Sequence, residues 1–237
     1  MTLALRSTEP EELDGESTDL ATYQRCLGEL AVVNRMTFTH YPTLRWLAHV
    51  TRALPAGSTV TVLDVACGHG DLLRAIATWA KRRGLKVRLS GIDVNPRSTA
   101  VAREATPGWM DIDYRPADVF CYAHAGRPDF IVSSQFTHHL TDEEVVEFLT
   151  WLDENCGCGW HIVDLHRHAL PYYGFPALAR MMRWHRIIRE DGAISIARSF
   201  RRSDWQKYLD RAGLRADISW HLFRFSVSRT RSKTVNC

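Results

Sequence analysis

The sequence predicts an α/β fold: a doubly wound, mostly parallel sheet with helices on both faces and a helical cap at the N-terminus. Three observations lead there. Residues 60–73 run as an apolar strand (Val60-Thr61-Val62-Leu63-Asp64-Val65), a glycine turn (Ala66-Cys67-Gly68-His69-Gly70) and a helix start (Asp71-Leu72-Leu73). Residues 87–93 alternate, turn apolar and end on Asp93, just before the turn residues Asn95-Pro96. Two further apolar runs, at 129–136 and 160–165, follow with helix-period segments between them, and strands that alternate with helices build parallel βαβ units.

Residues 1–18 are acidic and polar with no apolar period, so they are expected to form a frayed or disordered tail. A single domain is expected over 19–237. Within it, 19–57 form the cap, because apolar residues recur at helical spacing from Leu20 to Leu54 with a break near 37–42; two or three helices follow from that. The core spans 58–168 and includes the short strand Ile112-Asp113-Tyr114-Arg115. Thr141 and Glu144 form a capping box ahead of an apolar face of Val145, Val146, Phe148, Leu149 and Leu152. A turn at Cys156-Gly157-Cys158 precedes the strand ending in Asp164-Leu165. An insertion at 169–202 contains a basic amphipathic segment over 175–190, which reads as one helix. The capping-box pattern Ser203-Asp204-Trp205-Gln206 starts a last helix, and 216–220 with 223–227 read as a closing hairpin within the segment 203–230.

The chain has 237 residues and a formal charge of +3. That length suits one domain with a sizeable core, and the charge is too small to predict a nucleic-acid partner, although arginines cluster near residues 180–202. No apolar run reaches the roughly twenty residues of a membrane span. The start Met1-Thr2-Leu3-Ala4-Leu5-Arg6 lacks the apolar region of a secretion signal. A cytoplasmic protein with reduced thiols is the resulting expectation. Cys156 and Cys158 are one residue apart, tighter than structural zinc spacing, and no second ligand pair accompanies them; no metal site is predicted. Cys67 reads as a small side chain filling the glycine turn.

Glycines in such a turn let a ligand approach the backbone, and the free N–H groups and dipole of the following helix favour a carboxylate or phosphate. A dinucleotide fingerprint needs a third glycine for close helix–strand packing, and Leu73 stands there instead. The pattern Asp64-x-Ala66-x-Gly68-x-Gly70 resembles the first motif of class I S-adenosylmethionine-dependent methyltransferases, with Ala66 where glycine is commoner. Asp93 is in register for the ribose hydroxyls, and Ala117-Asp118-Val119-Phe120 and residues 129–136 follow in the family's order. The resemblance implies a Rossmann-like seven-stranded sheet and S-adenosylmethionine as cofactor. It also implies that Asp64 holds the ammonium, Ala66, Gly68 and Gly70 line the amino-acid part, Asp93 and Val94 meet the ribose side, Asp118 and Val119 meet adenine, and Ser133 offers its carbonyl. Arg35 or Tyr41 of the cap is the expected partner of the cofactor carboxylate.

A sulfonium methyl is transferred by in-line displacement, so positioning dominates and no covalent nucleophile is needed. A hydroxyl acceptor must also lose a proton, and histidine titrates nearest neutral pH. His138 and His139 follow the fourth strand; His166 and His168 follow the fifth. His139 and His166 are the preferred pair, with His138 as a further candidate and Asp164 as orienter. Phe175, Leu178, Met181, Met182, Trp184, Ile187 and Ile188, interleaved with Arg180, Arg183, Arg186 and Arg189, read as a surface helix on the core, a lid over a lipophilic acceptor, or a peripheral membrane contact. The segments 135–140, 164–167 and 191–195 resemble small-molecule, quinone-methyltransferase-like members of the family. That implies O-methylation of a phenolic or polyketide-type small molecule; C-methylation of a quinone-type ring and cofactor binding without catalysis stay open.

Overall fold

The computed structural model describes residues 3–15, 17–122 and 126–231. Strands β1 (Thr59–Val65), β2 (Lys86–Asp93), β3 (Ile112–Pro116), β4 (Phe130–Ser134), β5 (Gly159–Leu165), β6 (Asp217–His221) and β7 (Arg224–Thr230) form one sheet in the order β3-β2-β1-β4-β5-β7-β6. The first five are parallel, and β7 inserts antiparallel between β5 and β6. The order reverses between β1 and β4, so the crevice at the C-terminal ends of those strands is the natural ligand position.

Local chemistry sets most boundaries. Helix α1 (Leu20–Met36) starts where the Asp19 carboxylate accepts the Thr22 N–H at 3.0 Å, and α2 (Tyr41–Val50) carries Pro42 in its first turn. Helix α3 (Asp71–Arg83) stops at Gly84, whose φ of +68° suits a residue without Cβ. Helix α4 (Pro96–Glu104) is capped by Asn95, and α5 (Asp142–Asn155) opens with the expected reciprocal Thr141–Glu144 box. One core lies between the sheet and α2 and α3, around Leu47, Leu73, Ile76 and Phe130. The other lies on the opposite face, where α5 and α8 (Arg202–Arg211) bury Phe148, Leu149, Trp205 and Tyr208. Each such fully buried apolar side chain contributes about 1.5–3 kcal/mol.

Three expectations need correction. The amphipathic segment is two helices, α6 (Ala169–Met181) and α7 (Arg186–Arg198), broken where Arg183 takes a φ of +56° and His185 caps α7 by accepting the Ile187 N–H. The second helix also takes in residues 191–195. Helix α8 begins two residues earlier than its sequence signal: Arg201, not Ser203, precedes it, and the Asp204 carboxylate accepts the Arg201 N–H at 2.7 Å.

The third concerns the tail. Met1, Thr2 and Glu16 lie outside the described residues, but the remainder of 1–18 is a strap laid across the C-terminal edge of the sheet. Arg6 donates to the Asp142 carboxylate and to the carbonyls of His138, Leu140 and Arg198. Ser7 N–H donates to Ala197 at 3.0 Å. A 3-10 turn at Glu12–Asp14 points the N–H groups of Glu12 and Leu13 at the buried Asp191 carboxylate, 3.0 and 2.9 Å away. Composition suggested disorder because it counts apolar surface; the strap is held by polar partners elsewhere in the chain.

Candidate active site

The glycine turn packs more tightly than its sequence suggests. Ala66, Gly68 and Gly70 all have positive φ, at 56°, 48° and 73°. A Cβ on Gly70 would fall 2.4 Å from the Tyr114 hydroxyl, whereas one on Gly68 would meet nothing within 4 Å; Gly70 is needed for packing and Gly68 leaves open space over the N-terminus of α3. The close approach that a third glycine usually allows is supplied from across the sheet. A Cβ on Gly91 of β2 would lie 2.8 Å from both the Leu73 and Cys67 side chains, so Gly91 makes the room that Leu73 fills.

Three carboxylates surround this turn. Asp93 accepts the N–H groups of Gly68 and Asn95, each at 2.9 Å, and burial outweighs those bonds and raises its pKa. Asp64 is 2% exposed, its Oδ1 has no hydrogen-bond partner, and burial with the nearby Asp71 and Asp93 charges pushes its carboxyl well above the usual range. Burial also works against the Asp71 charge, but His40 Nε2 at 2.9 Å and Asn34 Nδ2 at 3.0 Å outweigh it and hold the carboxyl at about 2. Asn34 in turn accepts from Gln135 Nε2 at the end of β4. A crevice with an unpaired buried carboxyl and a fixed anion favours a cationic ligand.

Other expected cofactor residues occupy varied settings. Val94 is 74% exposed beside Asp93, Asp118 is exposed and caps the turn Val119–Cys121, and Ser133 is buried with its hydroxyl on the Val65 carbonyl. Arg35 and Tyr41 are exposed; their neighbours Asn34 and His40 reach the helix terminus instead. Neither was singled out in the sequence, because the ends of the cap helices carry no motif.

The histidines divide differently from the expected pairing. His138 is buried, and its Nδ1 lies 2.7 Å from Asp164 Oδ1. Asp164 also accepts the backbone N–H groups of His138 and Leu165 and the Thr137 hydroxyl. Burial opposes the His138 charge, yet Asp164 and Glu11 prevail and raise its pKa to about 10. His139 Nδ1 lies 2.9 Å from Asp14 of the strap. His166 does not join His139: Trp220 Nε1 donates to its Nδ1 at 3.3 Å, and its ring meets Phe225 and His168. His168 caps α6. Glu11, which sequence reading assigned to a disordered tail, stands against both His138 and His139.

Beside this cluster, a cavity of about 290 Å³ is lined mainly by apolar side chains, among them Leu13, Val33, Leu165, Phe175, Leu178 and Ile188. Residues of α6 and α7 line it; Trp184 packs on Phe175, while Met181 is exposed. Its polar points include Glu11, Gln135, Asp191 and Arg224. Arg224 is 7% exposed and donates to the Thr37 carbonyl and hydroxyl; its Nε has no partner and no ion pair involves it among the described residues.

Residues 62–155 match the family model described as a methyltransferase domain. The matched stretch contains the glycine turn, Asp93, Asp118 and the β4 turn. Solved structures share its fold. The plantazolicin methyltransferase BpumL, in complex with a monoazolic desmethylPZN analogue and SAH, superposes with a TM-score of 0.65 at 15% identity over 87% of this chain and 89% of that one. Magnesium protoporphyrin IX methyltransferase (ChlM) from Synechocystis PCC 6803 with bound SAH gives 0.55 at 14% over 93% and 91%. The CMeT domain of the citrinin polyketide synthase gives 0.58 at 11% over 80% and 51%. No curated protein sequence matches. Among the described residues, no helix of this methyltransferase-fold chain is long and apolar enough to cross a membrane.

Proposed function

We propose that this chain transfers the methyl group of S-adenosylmethionine to an oxygen of a small, lipophilic phenolic or polyketide-type acceptor. The apolar cavity under α6 and α7 carries that reading: it adjoins the glycine turn through the Gln135–Asn34–Asp71 chain of hydrogen bonds and holds a drug-sized apolar group. In this reading Asp64 meets the cofactor ammonium, Asp93 and Val94 the ribose side, Asp118 and Val119 the adenine, and the open backbone at Ala66, Gly68 and Gly70 the amino-acid portion, with Ser133 beside it. The cofactor's sulfonium and ammonium charges suit the acidic crevice; a pyrophosphate would not.

The acceptor oxygen is addressed from the opposite side. Arg224 loses hydration at the cavity wall, and burial lowers its pKa to about 10; a phenolate or enolate oxygen would supply the missing counter-charge. In the metal-free chain, proton removal is assigned to His139, beside the Asp164-paired His138 and joined to the cavity by Glu11. The methyl carbon then forms its bond to the acceptor oxygen, and the sulfur keeps the electron pair of the broken bond. Plantazolicin, porphyrin and polyketide chemistries named for the similar structures agree with a small-molecule acceptor. Calorimetric titration with S-adenosylmethionine, S-adenosylhomocysteine and NAD tests the cofactor half, and methyl transfer to a panel of lipophilic phenols tests the other. Binding of NAD alone, or of the first two with no transfer to any acceptor, would overturn the respective half.

A further inference from the structure

The two histidines after β4 and the strap's Glu11 have the arrangement of a ligand set. His138 Nε2 and His139 Nε2 lie 3.5 and 3.9 Å from the same oxygen, Glu11 Oε1. These separations exceed the roughly 2.7–3.2 Å of a good N–H···O bond. They approach the spacing of about 3.3 Å between ligand atoms held tetrahedrally at ~2.0–2.1 Å from zinc. Glu11 Oε1 is buried and has no hydrogen-bond partner. Among the described residues, these three form the group of histidine, cysteine or carboxylate donors whose ligand atoms all lie within 4.8 Å of one another.

The outer contacts point the same way. Each histidine turns its remote nitrogen to a carboxylate: His138 Nδ1 to Asp164 at 2.7 Å and His139 Nδ1 to Asp14 at 2.9 Å. Metal-bound histidines are oriented in this manner, the carboxylate fixing the tautomer and leaving the Nε2 lone pair for the ion. Arg198 donates to the His138 and His139 carbonyls at 3.1 and 3.0 Å and Arg6 to the His138 carbonyl at 3.3 Å, which holds the turn rigid.

We propose that Glu11, His138 and His139 bind a divalent transition-metal ion of the zinc class. Two neutral imidazoles and one carboxylate satisfy such an ion and leave a fourth position for water or an acceptor oxygen. Binding displaces the Nε2 proton from His138. The site goes beyond the methyl-transfer reading and does not rest on it. Glu11 is the member of this group that lines the apolar cavity; with the ion bound, the two Nε2 lone pairs are engaged and neither imidazole is free to take a proton.

The test is direct binding to the purified full chain. After chelator treatment, zinc is titrated against a chromophoric competitor, and cobalt(II) is added separately for its optical spectrum. The expected result is one ion per chain at sub-micromolar Kd, with cobalt bands lacking a thiolate charge-transfer component. Glu11→Gln and His139→Ala should each weaken binding by about 100-fold, and Asp14→Asn, at a half-exposed outer partner, by about tenfold. Circular dichroism checks each variant, and Asp14→Asn carries the test if an inner variant misfolds. Millimolar binding, a thiolate band, or an unchanged Kd in the folded variants would overturn the assignment, whether or not the chain methylates anything.

Discussion

The glycine-turn crevice and the histidine cluster face each other across the ends of β1, β4 and β5, yet they are built in opposite ways. Residues 64–71 and 91–95 supply most of the first, and its geometry follows from two strand-to-helix turns. The second draws Glu11 and Asp14 from the strap, His138 and His139 from the β4 turn, Asp164 from β5 and Arg198 from α7. A site made of adjacent residues is visible as a motif. One made of four separated segments exists only after the chain has folded, because each segment alone has no use for its charged groups.

The contrast makes the two sites separable by mutation. Leu178→Trp, which fills the cavity from α6, should cut acceptor turnover by about a hundredfold, as misplacement of a reacting group does, while cofactor Kd stays unchanged in calorimetry. A matching loss of cofactor affinity would mean that the cavity and the crevice are one site. On the turn side, Gly91→Ala forces a methyl against Leu73 and Cys67 and should lower unfolding free energy by about 2 kcal/mol in urea titration. Adding Leu73→Ala should cost less than the sum of the single changes, because one relieves the other. Strict additivity would remove Gly91 as the partner of Leu73.

Asp93→Ala should weaken S-adenosylmethionine binding by about 1–3 kcal/mol, the scale for hydrogen bonds to a charged acceptor, with urea unfolding measured in parallel because Gly68 loses a partner as well. Wild-type affinity would exclude Asp93 from the site. The smallest effect is electrostatic. The pKa of His138 is raised from 6.5 to about 10 in the folded chain, so its contribution to stability is complete below pH 6.5 and is lost as pH rises through about 10. In chelator, thermal or urea stability should fall across that window by at most about 1.4 kcal/mol per pH unit, and His138→Gln should flatten the slope. An equal slope in the variant would assign it to other groups.

Much of the crevice was legible in the sequence. The strand, turn and helix at 60–73 follow from apolar runs and glycines, and Asp93 follows from its register with them. The capping box at Thr141 and the closing hairpin are also local signals, and both appear, the hairpin's second strand running on to Thr230. The histidines were visible only as candidates: sequence places His138, His139 and His166 at strand ends but cannot say that Trp220 engages His166 while Asp164 engages His138. The α6–α7 break was missed because its apolar residues keep a helical period through it, and the strap because polar segments read alike whether solvated or clasped.

What the sequence determined by itself, then, is the βα order, the glycine turn and the carboxylates that accompany it, since backbone preference and apolar periodicity act over a few residues. Tertiary structure decided the rest: which cap residues reach α3, that Gly91 replaces the missing third glycine, that α6 and α7 line a cavity, and that Glu11 meets two histidines. Those features depend on long-range pairing of buried charges and volumes, and their energies appear only when distant segments exclude water from one another.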